Sequence, residues 1–488
     1  MERSVIIIGS GLGGLECGCI LAKKGFRVTI LERASKPGGC LQSFRRDGRI
    51  FDTGLHYVGG LGEGQSLRPF FEYFGLMDLP WKQINPDCVD EIVIGGQSYP
   101  LASGHDRFVE RLAERFPAER NNLNEYTRFL KKVGDDIFKI FEGDSVEMNA
   151  LLGRSAYEYL CSTIKDPLLR QVLSGSFMRM ELRKSLPLYV FAQINNSFIQ
   201  SAWKLEGGGD QIVRRMVDSI TAMGGIVRTG SEVTSIRAVS GKVTEVEVNG
   251  TEKLKADWVI SDAHPAVTLG LVSDGIRKVY KERISALDNT FGVFTANICL
   301  KHGSVALPDG NIFIHRESVD LWHSDPSATE SVMVHFYLEP QGGVTHLDLL
   351  SPMPFILGKE GLDNYPSASG KAIASESADP YESAKQRKLR ECLDLVAPRL
   401  PWLEGSIEST YTSTPLTYSR YTSTPQGSAF GIRHDWRTPL RTILSPRTPL
   451  KNLLFTGQSL NLHGLLGVSM TSVLTCRELL GNDFITLH

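Results

Sequence analysis

An α/β fold is what this sequence predicts, and three stretches carry the prediction. Residues 5–32, VIIIGSGLGGLECGCILAKKGFRVTILE, read as strand, glycine turn, helix and strand. Residues 226–260 hold short runs rich in Val and Ile, divided by the turn pairs Gly241-Lys242 and Asn249-Gly250. Residues 452–480, NLLFTGQSLNLHGLLGVSMTSVLTCRELL, repeat the order of strand, glycine turn and helix. A βαβ start with strands returning late in the chain predicts a mainly parallel sheet flanked by helices.

The opening stretch is the most specific. Residues 5–9 form an apolar run of strand length, and residues 12–24 a helix stopped by Gly25. Residues 27–31 make a second strand that ends on Glu32. Between first strand and helix stands Gly9-Ser10-Gly11-Leu12-Gly13-Gly14, which contains G-x-G-x-x-G as Gly9, Gly11 and Gly14. This is a Rossmann-like dinucleotide-binding unit. Gly9 makes the tight turn, Gly11 lets the backbone approach a pyrophosphate, and Gly14 lets helix and strand pack closely. The helix N-terminus presents free N–H groups to the phosphates. Glu32 is placed to accept hydrogen bonds from ribose hydroxyls. A glycine-rich turn in an ordinary α/β unit is the plainer alternative, and it leaves the acid at the strand end unexplained.

The 488 residues suffice for two or more domains. Charged residues make up 22% and the net charge is −2, which argues against nucleic acid as a partner. The eight cysteines include no CxxC pair, so no metal site is expected. Cys17 and Cys19 read as small packing residues on the first helix. The first strand leaves no room for a signal peptide, and no run reaches the roughly 18 apolar residues of a membrane span. The expected location is cytoplasmic, with peripheral membrane contact left open.

Residues 33–65 extend the cofactor reading. Lys36-Pro37-Gly38-Gly39-Cys40 is a paired-glycine loop, residues 44–51 read as a hairpin around Asp47-Gly48, and a second glycine-rich loop follows from Asp52 to Gly60. More glycine backbone beside the first loop suits a long cofactor. Gly18 lengthens the fingerprint to G-x-G-x-x-G-x-x-x-G. Both favour FAD over NAD.

From 66 to about 201, segments near 67–74, 106–116, 123–141 and 156–173 carry apolar residues at helical spacing, broken by Pro117, Pro167 and Pro187. They predict a mainly helical insertion. At Glu206-Gly207-Gly208-Gly209-Asp210 the chain is expected to return to the first domain, with a helix over 211–223 and strands over 226–228, 233–239, 243–248 and 258–260. Residues 270–445 form a second block, with strands over 291–300, 312–315 and 331–337 and a helix over 383–397. Residues 360–380 read as a surface loop, and residues 414–431, TPLTYSRYTSTPQGSAFG, as a polar and aromatic one. Last, residues 453–455 form a buried strand ending at Gly457, and Gly464 and Gly467 open a helix through Leu480. Its N-terminus is a site for an anion or a polar ring.

Three motifs now coincide: GSGLGGLECGCILAKKGFRVTILE, KPGGCLQSFRRDGRIFDTGLHYVGG and NLLFTGQSLNLHGLLG. Together they resemble the FAD-dependent family of phytoene desaturases, carotenoid isomerases and retinol saturases, nearest to its retinol saturase-like and carotenoid isomerase-like members. The resemblance covers both ends and the segment 206–265, and is vaguer over 66–200 and 270–410. It implies an FAD-binding domain of amine oxidase and phytoene desaturase type, assembled from 1–65, 205–268 and 446–488. It also implies a mixed-sheet and helical substrate domain from 66–204 and 269–445. The activity implied is an oxidoreductase acting on C–C or C=C bonds of a lipophilic isoprenoid or polyene, by saturation, desaturation or isomerisation.

Carried onto this sequence, the resemblance gives Gly9, Gly11 and Gly14 to the pyrophosphate and Glu32 to the adenosine ribose. Gly38 and Gly39 flank the approach to the isoalloxazine, Val233 lies against the adenine, and Gly457, Gly464, Leu466 and Gly467 line the flavin. Leu12, Gly13, Arg33 and Cys40, inside or beside those motifs, count with the cofactor site. Lys36-Pro37 stands where family members often carry an Arg before the paired glycines, and no second nucleotide fingerprint is present. The electron partner is then external: a quinone, oxygen or a transiently bound nicotinamide.

A flavin carries the redox step, so few acid/base residues are required. His56 in the second glycine loop and His463 in the last are candidate proton donors or polar anchors, with Tyr57 a third candidate. The plainer reading is that each braces backbone in a tight loop. Phe177, Tyr189, Phe191, Phe198 and Trp203 line a polyene tunnel on one reading and ordinary core on the other. Two further classes stay open: an amine oxidase-like or protoporphyrinogen oxidase-like flavoenzyme, and a non-catalytic FAD- and prenyl-binding escort protein.

Overall fold

The computed structural model describes residues 3–301, 310–323, 325–338, 343–355 and 380–481. The expected surface loop at 360–380 lies, but for its last residue, outside them.

Two sheets organise the chain. One has five strands, all parallel, in the order Ile226–Arg228, Arg27–Leu31, Ser4–Ile8, Trp258–Ser261 and Leu453–Phe455. A parallel strand covered on both faces needs a continuous apolar run, and SVIII at Ser4–Ile8 is buried at every position. Val5 pairs with Val28 on one side and Trp258 on the other, and Ile260 pairs with Leu454. Because the strands are parallel, the residues that follow three of them meet at one carboxyl edge: the Gly9 loop, Asp262 and Gly457. Ligands of doubly wound sheets bind at such an edge.

The Leu12–Lys23 helix is buried from Gly13 to Ala22, because helices Asp210–Ala222 and Gly464–Leu480 enclose it with the sheet. Small side chains allow the close approach. Cys19 Sγ lies 3.6 Å from the Met216 carbonyl and Cys17 Sγ 3.7 Å from that of Ser472. All eight cysteines are free thiols. Gly18, read above as lengthening the cofactor fingerprint, serves this packing: a Cβ there would stand 2.8 Å from Ile30 Cδ1. The meander beside the sheet runs Val233–Val239, Lys242–Val248 and Glu252–Leu254. Its first turn uses Ser240 and Gly241 at φ 51° and 75°, one residue earlier than the predicted Gly241-Lys242 pair.

The other large sheet has seven strands, in the order Ile407–Ser413, Gly292–Leu300, Val344–Met353, Ser331–Leu338, Asn311–His315, Asp90–Ile94 and Gln97–Leu101. Every neighbouring pair is antiparallel except Asn311–His315 with Asp90–Ile94. The mainly helical reading of 66–201 gains strands here. That segment supplies helices such as His105–Ala113, Arg120–Asp135 and Leu188–Gln200, but also strands Trp81–Gln83, Asp90–Ile94 and Gln97–Leu101. DEIVI opens with two acids, and its partner Asn311 lies 221 residues away from Asp90. Its one local signal is Gly95-Gly96, both at positive φ, a hairpin turn. Pro167 begins a helix, so the expected helical run over 156–173 is two helices, Ala156–Thr163 and Pro167–Ser174. Likewise the expected loop 414–431 contains helix Pro415–Thr422, started by a Thr414–Thr417 capping box.

Candidate active site

At the carboxyl edge of the parallel sheet the two N-terminal glycine loops form one wall. Gly9 turns the chain at φ 95°. Gly14 tolerates no side chain, since a Cβ would lie 2.2 Å from the Gly9 carbonyl oxygen. Leu12, Gly13 and Gly14 form the first turn of the helix, whose N–H groups give the edge a positive end. The Gly38 N–H donates to the Ser10 carbonyl at 3.0 Å and to Ser10 Oγ at 3.1 Å. Gly39 follows against Gly11, where a Cβ would stand 3.4 Å from Gly11 Cα. Cys40, exposed at the end of this loop, abuts Gly54 of the second loop.

Glu32 closes the far side. Its Oε2 accepts from the Ser10 N–H at 3.0 Å and the Ser10 hydroxyl at 2.5 Å, and its Oε1 from the Ala34 N–H at 2.7 Å. A carboxylate offers about four acceptor positions, so capacity for a ribose hydroxyl is left. The Ser231 N–H donates to the Glu32 carbonyl at 2.8 Å, which brings Val233, buried at the start of the meander, to the same end. Arg33 is exposed and donates to the carbonyls of Arg420 and Tyr421 at 2.6 and 3.3 Å.

The third wall comes from the chain's end. Gly457 turns at φ 91° after its strand. Gly464 opens the last helix into empty space: nothing stands within 4 Å of a Cβ built on it. Gly467 is tightly packed, 2.3 Å in the same sense from the Leu462 carbonyl, and Leu466 is buried. His463 is the residue before this helix but gives it no side-chain cap. The ring instead donates Nε2–H to the Arg179 carbonyl at 3.0 Å and stacks on Phe430 at 4.3 Å. Burial lowers its pKa to about 4, so it stays neutral. The helix N-terminus is thus left open for a polar ring. Three glycine walls, an acid at the strand end and an uncapped helix fit an extended dinucleotide such as FAD.

Two carboxylates that sequence reasoning passed over lie within this framework. Glu16, on the first helix, is fully buried against the last one, with Oε1 accepting from Ser469 Oγ at 2.6 Å. Burial raises its pKa to about 8. Asp262 follows the Trp258–Ser261 strand and is half-buried. Burial of its carboxyl raises its pKa to about 7. An acid placed directly after a buried strand was the available signal.

A second centre lies on the seven-stranded sheet, where His56 reaches it from the second glycine loop. Asp348 is fully buried there and accepts from Asn297 Nδ2 at 2.6 Å and from the Tyr337 hydroxyl at 2.8 Å. His56 Nδ1 stands 3.6 Å from Asp348 Oδ2, beyond hydrogen-bond reach, and has no hydrogen-bond partner among the described residues. The His56 and His335 rings lie 5.1 Å apart, and His346 stacks on Tyr337 at 4.1 Å. Burial lowers the pKa of His56 and His346 to about 4 and that of His335 well below the ordinary value. Burial raises Asp348 to about 7, against the pull of Asn297 and Tyr337. The histidines are therefore neutral, and the carboxyl holds or releases a proton near neutral pH, as general acid–base chemistry requires.

Tyr57, next to His56, faces elsewhere. Its hydroxyl accepts from Arg179 Nε at 2.9 Å and lies 3.3 Å from Asp90 Oδ2. Arg179 and Asp90 form a buried ion pair, to which Ser176 and Asn311 add hydrogen bonds at 3.2 Å each. Through Arg179 this network holds both Tyr57 and His463. The aromatic residues proposed for a tunnel sit mainly in the core, with Phe177, Tyr189 and Phe191 buried.

The family model for flavin containing amine oxidoreductases matches residues 12–298. The chain is 25% identical to all-trans-retinol 13,14-reductase of Danio rerio over 543 aligned residues, covering 100% of this chain and 87% of that one. It is 24% identical to prolycopene isomerase 2, chloroplastic, of an Oncidium hybrid cultivar, covering 88% and 75%. Among solved structures, putrescine oxidase bound to putrescine superposes with a TM-score of 0.62 at 15% identity, covering 99% of this chain and 100% of that one. With more than half of its length inside the family model, this chain belongs to the flavin containing amine oxidoreductases.

Proposed function

We propose that the chain is an FAD-dependent oxidoreductase acting on C–C or C=C bonds of a long lipophilic isoprenoid or polyene, with His56 and Asp348 handling the proton. The observation that carries this reading is the buried pair itself: a carboxyl with a pKa near 7 set 3.6 Å from an unpartnered ring nitrogen. The similarity to a retinol reductase and a prolycopene isomerase supports the substrate class.

Bound FAD would supply hydride and electron transfer at carbon. Gly9, Gly11, Leu12, Gly13, Gly14 and Glu32 would hold its adenosine diphosphate end, and Gly38, Gly39, Gly457, Gly464, Leu466 and Gly467 its flavin end. Asp348 keeps a proton without a net charge, and His56 is the one member of the centre carried on a cofactor loop. Asn297 and Tyr337 fix the carboxyl's orientation. Arg179 positions Tyr57 and His463. Burial and the nearby Lys204 keep His56 and His335 neutral. The electron partner is external, and the division into a cofactor domain and a substrate domain follows the two sheets. Among the described residues no helix is long and apolar enough to cross a membrane. A cytoplasmic location with peripheral membrane contact suits a lipid substrate.

The test is to purify the chain with its flavin and offer retinoids and carotenoids to the oxidised and the reduced protein. A product changed by two hydrogens, or isomerised at constant mass, is expected. Asp348→Asn and His56→Gln should each lower kcat about a hundredfold or more, the scale of one acid–base group, while flavin is retained. Turnover of amines with no change in any polyene would refute the substrate class. An inert flavin with every compound would favour an escort protein.

A further inference from the structure

The glycine wall at the carboxyl edge already encloses a carboxylate. A Cβ placed on Gly11 would fall 2.4 Å from Asp262 Oδ2, and one on Gly13 or Gly457 would fall 2.5 Å from Oδ1. The Asp262 carboxyl therefore fills the space that three missing side chains leave, at the N-terminal end of the Leu12–Lys23 helix. The backbone N–H groups of Gly14 and Gly11 favour its ionised form, against the larger effect of burial. Its own N–H is anchored to the Ile8 carbonyl at 2.8 Å, so its backbone is tied to the strand edge.

A diphosphate needs the same corner, because these are the N–H groups a dinucleotide turn offers to phosphate. A carboxylate anion beside a diphosphate is repelled, and a protonated carboxyl is a hydrogen-bond donor to it. We infer that Asp262 is the diphosphate-facing residue of the cofactor site and binds FAD in its protonated form, so that FAD uptake draws one proton from solvent. The inference rests on the FAD reading above.

Other titratable groups face this corner. Glu32 lies at the end of its strand and opposes ionisation of Asp262. Glu16 approaches from the helix and is raised to about 8. Cys40, in the paired-glycine loop, also borders it, and its surroundings and the Asp262 carboxylate push its thiol up rather than down. The Asp262 carboxyl itself sits near 7, with burial the main cause. In the free protein it is thus protonated below that pH and ionised above it. FAD binding that favours the protonated form then weakens as pH rises past 7, approaching about tenfold in Kd per pH unit.

The experiment measures the Kd of FAD for the deflavinated full chain between pH 6 and 9 by flavin fluorescence. Calorimetry in buffers of different ionisation enthalpy counts the protons taken up. The wild type should lose affinity steadily above pH 7 and take up close to one proton per FAD at pH 8. Asp262→Asn, a permanent donor of the same shape, should bind with an almost flat pH profile and take up none. Glu16→Gln should keep the wild-type slope, which separates the two acids. A flat wild-type profile, or an equal slope in Asp262→Asn, overturns the inference. The proton count on the wild type decides the matter even if the variant does not fold. Absence of FAD binding at every pH would instead remove the cofactor reading, and this inference with it.

Discussion

Glu16 gives the sharpest test of how the first and last helices are joined. Its carboxyl is wholly inside the interface, with Oε1 on Ser469 and Oε2 without a hydrogen-bond partner among the described residues. Burial outweighs the help of Ser469 and Ser472 and lifts the pKa from 4.5 to about 8. The folded protein therefore keeps this proton up to about pH 8, while the unfolded chain gives it up near 4.5. Between those values the folded state binds more protons, so stability falls as pH rises. A shift of 3.5 units at about 1.4 kcal/mol each is ~5 kcal/mol as an upper bound, reduced by any relaxation of the helices. Glu16→Gln removes the titration and keeps an acceptor for Ser469. Its amide carries two N–H donors where the protonated carboxyl has one, and the extra unsatisfied donor costs about 1–3 kcal/mol that does not vary with pH. Urea unfolding followed by tryptophan emission should show the variant gaining ~3–5 kcal/mol on the wild type between pH 5 and 9. A stability difference that stays constant over that range would refute the assignment of a buried, protonated glutamate.

Gly14→Ala forces a Cβ onto the Gly9 carbonyl, a backbone atom that has no rotamer to escape with, and should yield a colourless protein by flavin absorbance. Arg179→Leu strands Asp90 in the core without its counter-ion and should cost about 3–5 kcal/mol, read by chemical denaturation. Loss of the guanidinium also releases the Tyr57 hydroxyl, so kcat should fall with the stability, while His463 keeps its bond to the backbone carbonyl of residue 179. Replacing both Arg179 and Asp90 by apolar residues of like volume should recover most of the stability and little of the turnover.

How much was legible follows from the range of the interactions. The Ser4–Leu31 unit could be read because its strand, glycine turn, helix and acid lie within thirty residues, and each part is dictated by local sterics or hydrogen bonding. Leu453–Phe455 and Gly464–Leu480 could be read for the same reason. DEIVI at Asp90–Ile94 was not legible as a strand, because its reason for being extended is Asn311–His315, far along the chain. Tyr57 stood out by position alone, and only the Arg179–Asp90 pair shows its hydroxyl committed to a buried network.

The sequence by itself determined a Rossmann-like α/β framework and the glycine turns that only backbone contacts explain. The tertiary structure decided which side chains meet at those turns and what charge they carry. His56, Asn297, Tyr337 and Asp348 form one centre because strands from separate parts of the chain share a sheet. Asp262, Glu16 and Asp348 look in the sequence like ordinary ionised acids. Their protonation is set by the loss of water around each carboxyl, which is a property of the packed fold and of no local stretch.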